Sequence, residues 1–279
     1  QNEQRSNSTD SKTELSNEET IQQFNNQIES ISTSLLENPN NLECFYDLIT
    51  IISRLDSSLI NQIDLIPKLI QSNLFPLLID QKETELIVLP LLFKILSCNV
   101  NETILLIQNN LCNYLMRSLF VSEIELTDDI EISRYCFSCL IKIMDQSPFL
   151  YFLMYSIGIF HRFYQQLTNF EQMGAEFCIL YSDQISFIVT FIDEYIKRSI
   201  SVNPEEMINQ YDAFIQSCQN PEQFNKDLFA FAIEWSFSDE DFLIALKVIS
   251  SIADSVFTYQ SKNQLISTRH LNLAQFKLL

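Results

Sequence analysis

The chain has 279 residues, of which 47% are apolar, and its 36 acidic against 17 basic residues give a formal net charge of −19. Direct binding of nucleic acid or of an anionic membrane is not expected, because both need clustered Lys and Arg. Two glycines are too few for the left-handed turns and close backbone approaches of nucleotide-binding crevices and β-sandwiches. These counts predict an all-α protein.

Seven cysteines lie within apolar stretches of the chain. An odd number in such settings indicates reduced, buried thiols rather than a disulfide framework, which predicts a cytoplasmic or nuclear protein. The longest apolar runs, 149–160 and 86–93, are too short to span a bilayer. No secretory signal is expected, since the first residues contain no apolar core.

Residues 1–16 are polar, which predicts a disordered tail. Predicted helix starts follow this segment. Ser16 followed by Glu19 is a capping-box pattern, so we expect the first helix to begin there. Further helix starts are marked by a capping side chain, three of them directly followed by proline. These capping residues are Asn101, Ser147, Asn203, Asn220 and Ser238.

Two segments of the chain resemble each other: "LIQSNLF" at 69–75 and "LIQNNLC" at 106–112. In each, a short helix is expected to end at an asparagine, Asn73 or Asn110, and a third segment ends in the same way at Gly158. Asn and Gly tolerate the left-handed backbone conformation that ends a helix sharply. The intervals between these residues, 37 and 48, are close to the period of helical solenoids. The predicted unit is a short helix, a left-handed turn, a second helix and a longer third helix.

This unit resembles the armadillo repeat family, in which a short first helix ends at a small residue or glycine. The segment "NETILLIQNNLCNYLMRSL" carries the resemblance best, with Asn110 where the family usually has glycine. The resemblance covers roughly residues 40–200 and implies a right-handed α-α superhelix, with HEAT-type helical pairs as the nearest alternative. We expect armadillo-like helical repeats over 17–200 and further helical repeats or a cap over 201–279.

The resemblance implies a non-catalytic scaffold or adaptor that binds a protein partner through a basic or extended segment, without a cofactor. One alternative is cargo binding of the importin-α type, in which Trp and Asn pairs on the third helices hold a peptide. Here the single tryptophan, Trp235, has no suitably spaced Asn. A second alternative is a structural subunit of a larger assembly. An enzyme is not expected, since no set of nucleophile, base and orienting group is recognisable.

Two motifs could carry chemistry but favour a structural interpretation. Cys136 and Cys139 form a CxxC motif without the second ligand pair of a zinc site, so we expect two buried core thiols. His161 and His270 have no recognisable catalytic partner and are expected on the surface or satisfied in the core. No metal site is predicted.

A cluster of acids surrounds a predicted loop between two helices. Its members are Glu123, Glu125, Asp128, Asp129 and Glu131. Their spacing lacks the glycine and the terminal glutamate of a calcium loop. The cluster is either a solvated acidic loop or a docking patch for a basic partner segment.

An aromatic cluster follows the acidic cluster in the sequence, between residues 151 and 164. Its members are Tyr151, Phe152, Tyr155, Phe160, Phe163 and Tyr164. These rings are expected in the core; a partly exposed stripe would instead be an interaction surface, because aromatic residues concentrate at binding hot spots.

Overall fold

The computed structural model describes residues 17–38, 41–80, 84–98, 103–122, 125–146, 148–198, 203–218, 221–224, 226–227 and 239–263. Most of these residues are helical, and they form no β-strand beyond an isolated antiparallel bridge between Phe120 and Leu126. The all-α prediction is confirmed. The predicted tail, residues 1–16, lies outside the described residues, as do Trp235 and His270.

The described residues contain fifteen α-helices. They are α1 (Asn17–Glu37), α2 (Leu42–Arg54), α3 (Ser57–Gln62), α4 (Leu65–Gln71), α5 (Leu74–Asp80), α6 (Glu85–Cys98), α7 (Thr103–Gln108), α8 (Leu111–Leu119), α9 (Ile130–Gln146), α10 (Pro148–Ser156), α11 (Ile159–Met173), α12 (Ala175–Leu180), α13 (Ser182–Arg198), α14 (Pro204–Ser217) and α15 (Asp239–Asn263). A short 3-10 helix, Pro221–Gln223, lies between α14 and α15.

Helix starts follow the predicted caps where the structure describes them. The Asn203 side chain accepts the backbone N–H of Glu205 at 3.2 Å, and α14 begins at Pro204, which confirms this cap. Helices α1, α10 and α15 begin directly after the predicted caps Ser16, Ser147 and Ser238, which themselves lie outside the described residues. The predicted caps Asn101 and Asn220 also lie outside them.

The three predicted turn residues adopt the left-handed conformation. Asn73, Asn110 and Gly158 have φ angles of 57°, 71° and 77°. Asn73 follows α4, Asn110 follows α7, and Gly158 follows α10; each is directly succeeded by the next helix. This part of the predicted unit is confirmed. Asp64 and Gly174 also have positive φ angles, which the sequence analysis did not predict.

Helices α2, α6, α9 and α13 pack in their order along the chain. The long helix α6 packs against α9, and α9 packs against α13, while α2 packs on the other side against α6. Of the helices that follow a left-handed residue, α5 contacts α8, and α11 contacts α15. Of the short helices that precede one, α4 contacts α7, and α10 contacts α14.

Aromatic side chains fill the core where α8, α9, α11 and α13 meet. Phe163 is fully buried, and its ring centroid lies 4.9 Å from that of Phe137, 5.0 Å from Phe191 and 5.8 Å from Phe120. Stacked and edge-to-face pairs at these distances add about 0.5–1.5 kcal/mol each to the free energy of area burial.

Three of the six members of the predicted aromatic cluster lie in the core. Phe152, Phe160 and Phe163 are buried, which confirms the core interpretation for these three, and Tyr164 is half-buried. The side chains of Tyr151 and Tyr155 lie outside what the structure describes.

Candidate functional site

The loop between α8 and α9 is held by its own backbone. The N–H of Val121 donates to the carbonyl oxygen of Glu125 at 2.9 Å, and the N–H of Thr127 donates to that of Leu119 at 2.8 Å. Leu126 is buried opposite Phe120, so the apolar side of this pairing faces the core. The loop therefore presents its acidic side chains from an anchored backbone.

Two of the predicted acids serve the helix that follows the loop. The Asp129 carboxylate accepts the N–H groups of Glu131 and Ile132 at 2.9 and 3.1 Å and thereby caps α9. Glu131 pairs with Arg134 one turn along the same helix. Glu123 lies outside the described residues. These contacts account for Asp129 and Glu131 without any partner protein.

The remaining two acids, Glu125 and Asp128, line a pocket. Both are exposed, and neither carboxylate makes an ion pair within the described part of the chain. The pocket has a volume of about 390 Å³ and lies between the acidic loop, the end of α11, α12 and the start of α13. The structure thus places two of the predicted site residues together at the rim of one cavity.

Apolar side chains form much of the pocket wall. Phe170 is buried and stacks on Tyr181, with ring centroids 5.3 Å apart and an interplanar angle of 26°. Met173 and Phe177 also line the cavity and are 57% and 45% exposed. Leu180, three residues after Phe177 on the same helix, is 71% exposed. Three large apolar residues on one short stretch of chain are therefore exposed. Isolated apolar residues are common on protein surfaces, whereas such a group marks an interaction surface.

A glycine creates this arrangement. Gly174 separates α11 from α12 with φ 91° and ψ 176°, a backbone conformation that is open essentially to glycine alone. Helix α11 ends there and α12 begins, and Phe177 of α12 lines the same pocket as Glu125 and Asp128 of the loop. Helix α15 packs on α12, and the Tyr259 hydroxyl donates to the Glu176 carboxylate. Helix α12, which contributes Phe177 to the pocket wall, is thus packed against α15.

Two glutamines complete the wall from inside. Gln166 of α11 and Gln184 of α13 line the pocket, although they are only 8% and 4% exposed. Buried amide groups are almost always hydrogen-bonded in folded proteins. Neither side-chain amide has a hydrogen-bond partner among the described residues, and the amide atoms keep access to solvent, so both can bond to a molecule in the pocket.

The charged side chains that line the pocket are all negative. Among the described residues that line it, none is Lys, Arg or His, and Glu125 and Asp128 are the charged ones. Low-dielectric walls around like charges concentrate the field and attract cations. The pocket can therefore accept a positively charged group.

A second, larger groove borders the same loop at Val121 and Ser122. It has a volume of about 750 Å³ and includes Arg117 and Arg162. Both guanidinium groups are engaged, because Arg117 donates to the carbonyl oxygen of Ile79 at 3.0 Å, and Arg162 lies 5.5 Å from the centre of the Phe120 ring. The charged groups of this groove already have partners, whereas the two carboxylates of the acidic pocket form no ion pair among the described residues.

The CxxC cysteines are core residues, as predicted. Cys136 and Cys139 are fully buried in α9, and burial raises the pKa of both thiols. None of the seven cysteines forms a disulfide. The part of the chain that the structure describes contains no group of three or more His, Cys, Asp or Glu side chains placed to hold a metal ion. Within the same residues, no helix is both long and apolar enough to cross a membrane.

His161 lies on the exposed side of α11, which fits the expected surface position. Its Nε2 atom is 2.9 Å from Nε2 of Gln165, one turn further along the helix. No carboxylate or nucleophile contacts the ring among the described residues. Within this part of the chain, His161 therefore has no orienting partner of the kind a general base needs.

Most of the pocket was missed by sequence reasoning. Gln166, Gln184 and Phe177 come from three different helices and carry no motif. The available signal was Gly174, the chain's second glycine, which interrupts an otherwise helical stretch before an apolar segment.

Comparison with known proteins identifies no relative: no family model, no curated protein and no solved structure matches the chain.

Proposed function

We propose that the protein is a non-catalytic scaffold or adaptor that binds a protein segment, and that its helices form an armadillo-type right-handed α-α superhelix. The docking surface includes the acidic pocket, defined by Glu125, Asp128, Gln166, Gln184 and the apolar residues of 170–181. The observation that carries the proposal is the placement of two unpaired carboxylates beside exposed apolar side chains at one cavity.

The superhelix is supported by the order of the helix contacts. In a solenoid each unit buries its apolar side against its neighbours, so that equivalent helices stack in sequence. The succession α2, α6, α9 and α13 has this character, and so do the pairs α5 with α8 and α4 with α7. The left-handed residues Asn73, Asn110 and Gly158 mark the same point in three successive units.

Protein binding is supported by the composition of the pocket and its rim. Aromatic residues and Met are enriched in interfaces, and charged groups around them steer the encounter and select the partner. Met173, Phe177 and Leu180 provide the apolar contact area, while Glu125 and Asp128 provide the charge. The net charge of −19 favours a basic partner segment.

The test is affinity purification with mass spectrometry, comparing the wild type with Glu125→Lys/Asp128→Lys. Asp129 and Glu131 are left unchanged, because their replacement would also remove the cap and an ion pair of α9. The matched control is Glu29→Lys/Asp47→Lys, a reversal of two exposed acids in the middle of α1 and α2 that do not line the pocket. We expect specific partners to be lost from the first variant and kept by the control. Equal recovery by both variants at the same salt concentration would contradict the proposal.

A permanent structural subunit is the second candidate, because exposed apolar residues also occur where a subunit is always covered. Met173, Phe177, Leu180 and, on α15, Phe257 are such residues. Size-exclusion chromatography with light scattering separates the two functions. A stable monomer in isolation fits an adaptor, whereas aggregation that only a co-expressed partner prevents fits a subunit.

A further inference from the structure

The two buried glutamines of the acidic pocket, Gln166 and Gln184, indicate what the pocket binds. They come from different helices, α11 and α13, and both reach the same cavity while more than nine-tenths of each residue is buried. Neither amide has a hydrogen-bond partner among the described residues, and the amide atoms stay in reach of solvent, so water or a ligand can bond to them. A bound group with several hydrogen-bond donors can replace that water at both amide oxygens.

The rim adds negative charge and the wall adds flat apolar surface. Glu125 and Asp128 are unpaired acceptors at the mouth of the pocket, and the stacked rings of Phe170 and Tyr181 lie in its wall with Phe177. A ligand complementary to this set has an apolar stem, a positive charge and several hydrogen-bond donors at its end.

We propose that the pocket binds an arginine side chain of an extended partner segment. The guanidinium group carries five N–H donors and stacks on aromatic rings, so it can meet the carboxylates of Glu125 and Asp128 and the side-chain oxygens of Gln166 and Gln184 together. Its three-carbon stem packs along the apolar wall. This inference rests on the proposed docking function, because the docked partner segment supplies the arginine.

Lysine fits the same pocket less well. Its ammonium group has three donors, is strongly hydrated and does not stack on rings as a plane, so it satisfies fewer of the acceptors around the pocket. Citrulline has the same shape as arginine without the charge, and it loses the attraction of Glu125 and Asp128. Anionic ligands are excluded by the same two carboxylates.

The test uses NMR of methyl-labelled methionine, because Met173 lines the pocket and is exposed. The other four methionines, Met116, Met144, Met154 and Met207, are buried and report whether the fold is intact. The probe is the peptide acetyl-Ala-Ala-Arg-Ala-Ala-amide, titrated beside versions that carry Lys or citrulline in place of Arg. Free arginine is a fourth arm, since its carboxylate would be repelled at the acidic rim.

We expect a saturable shift of the Met173 methyl signal with the arginine peptide, a weaker affinity for the lysine peptide and for free arginine, and no saturation with citrulline. Glu125→Gln, Asp128→Asn and Gln184→Leu should each weaken the arginine peptide about tenfold, the usual effect of deleting a hydrogen bond to a charged group. Glu205→Gln, which does not line the pocket, should leave the affinity unchanged.

A Met173 shift that is absent, or that is the same with citrulline, would overturn the assignment of arginine. If partner recovery in the purification experiment still depends on Glu125 and Asp128, only the arginine inference has failed and the docking function stands. If neither experiment responds to these two acids, the docking function itself is wrong.

Discussion

Gly158 offers a quantitative test of the repeating unit. It joins α10 to α11 with a φ angle of 77°, and a Cβ atom added there would meet nothing within 4 Å. The cost of Gly158→Ala is therefore the left-handed backbone alone, about 1–2 kcal/mol, partly offset by about 0.4–1 kcal/mol from the lower entropy of the unfolded chain. We expect a net loss of about 1 kcal/mol and a melting temperature lower by about 2–4 °C.

The matched variant is Gly158→Asn. Asparagine occupies the equivalent left-handed positions at Asn73 and Asn110, and its short polar side chain tolerates this conformation. Its cost should be less than half that of alanine. Thermal and urea unfolding, followed by circular dichroism of the helices, measure both. Alanine at 158 without any loss of stability, or asparagine as costly as alanine, would refute the assignment of Gly158 as an equivalent hinge.

Three further predictions concern stability. Phe163→Ala should cost about 3–5 kcal/mol in urea unfolding because it removes a fully buried ring, whereas Phe177→Ala at the exposed pocket wall should cost less than about 0.5 kcal/mol; similar losses would contradict the packing described. Asp129→Ala should cost about 1 kcal/mol through loss of the α9 cap, and Glu131→Gln less than half of that in the same assay. Burial raises the pKa of Cys112 from 9.0 to about 12, so its stabilising contribution is complete below pH 9 and is lost as the pH rises toward 12. The free energy of unfolding should fall there by about 1.4 kcal/mol per pH unit for this thiol, and Cys112→Val should remove that part of the slope.

The turn residues could be predicted because their conformation depends on local sterics. Only a residue with no Cβ, or with a short side chain that bonds its own backbone, enters the left-handed region easily, so Asn73, Asn110 and Gly158 were recognisable from the chain alone. Asp64 is a left-handed residue of the same kind, with φ 49°. It was missed because no similar segment elsewhere in the chain drew attention to it.

The acidic loop shows where local reasoning stops. Capping of α9 by Asp129 is a short-range effect, visible in principle from an acid placed just before an apolar helical stretch. The pocket cannot be recognised from the sequence in this way. It joins the loop to residues of α11, α12 and α13 that lie tens of positions further along the chain. In the sequence, Gln166 and Gln184 resemble ordinary surface residues. Packing in the folded chain places both of them beside the same cavity.

The most direct test of the docking function is site-specific photo-crosslinking in the cell of origin. A photoreactive benzoylphenylalanine replaces Phe177, which is exposed and lines the pocket, and the control position is Glu205 on α14. We predict a discrete protein adduct from position 177 that disappears when Glu125→Lys and Asp128→Lys are introduced, and no such adduct from position 205. An adduct that persists in the double reversal, or that forms equally from both positions, would contradict a partner-binding pocket at this place in the molecule.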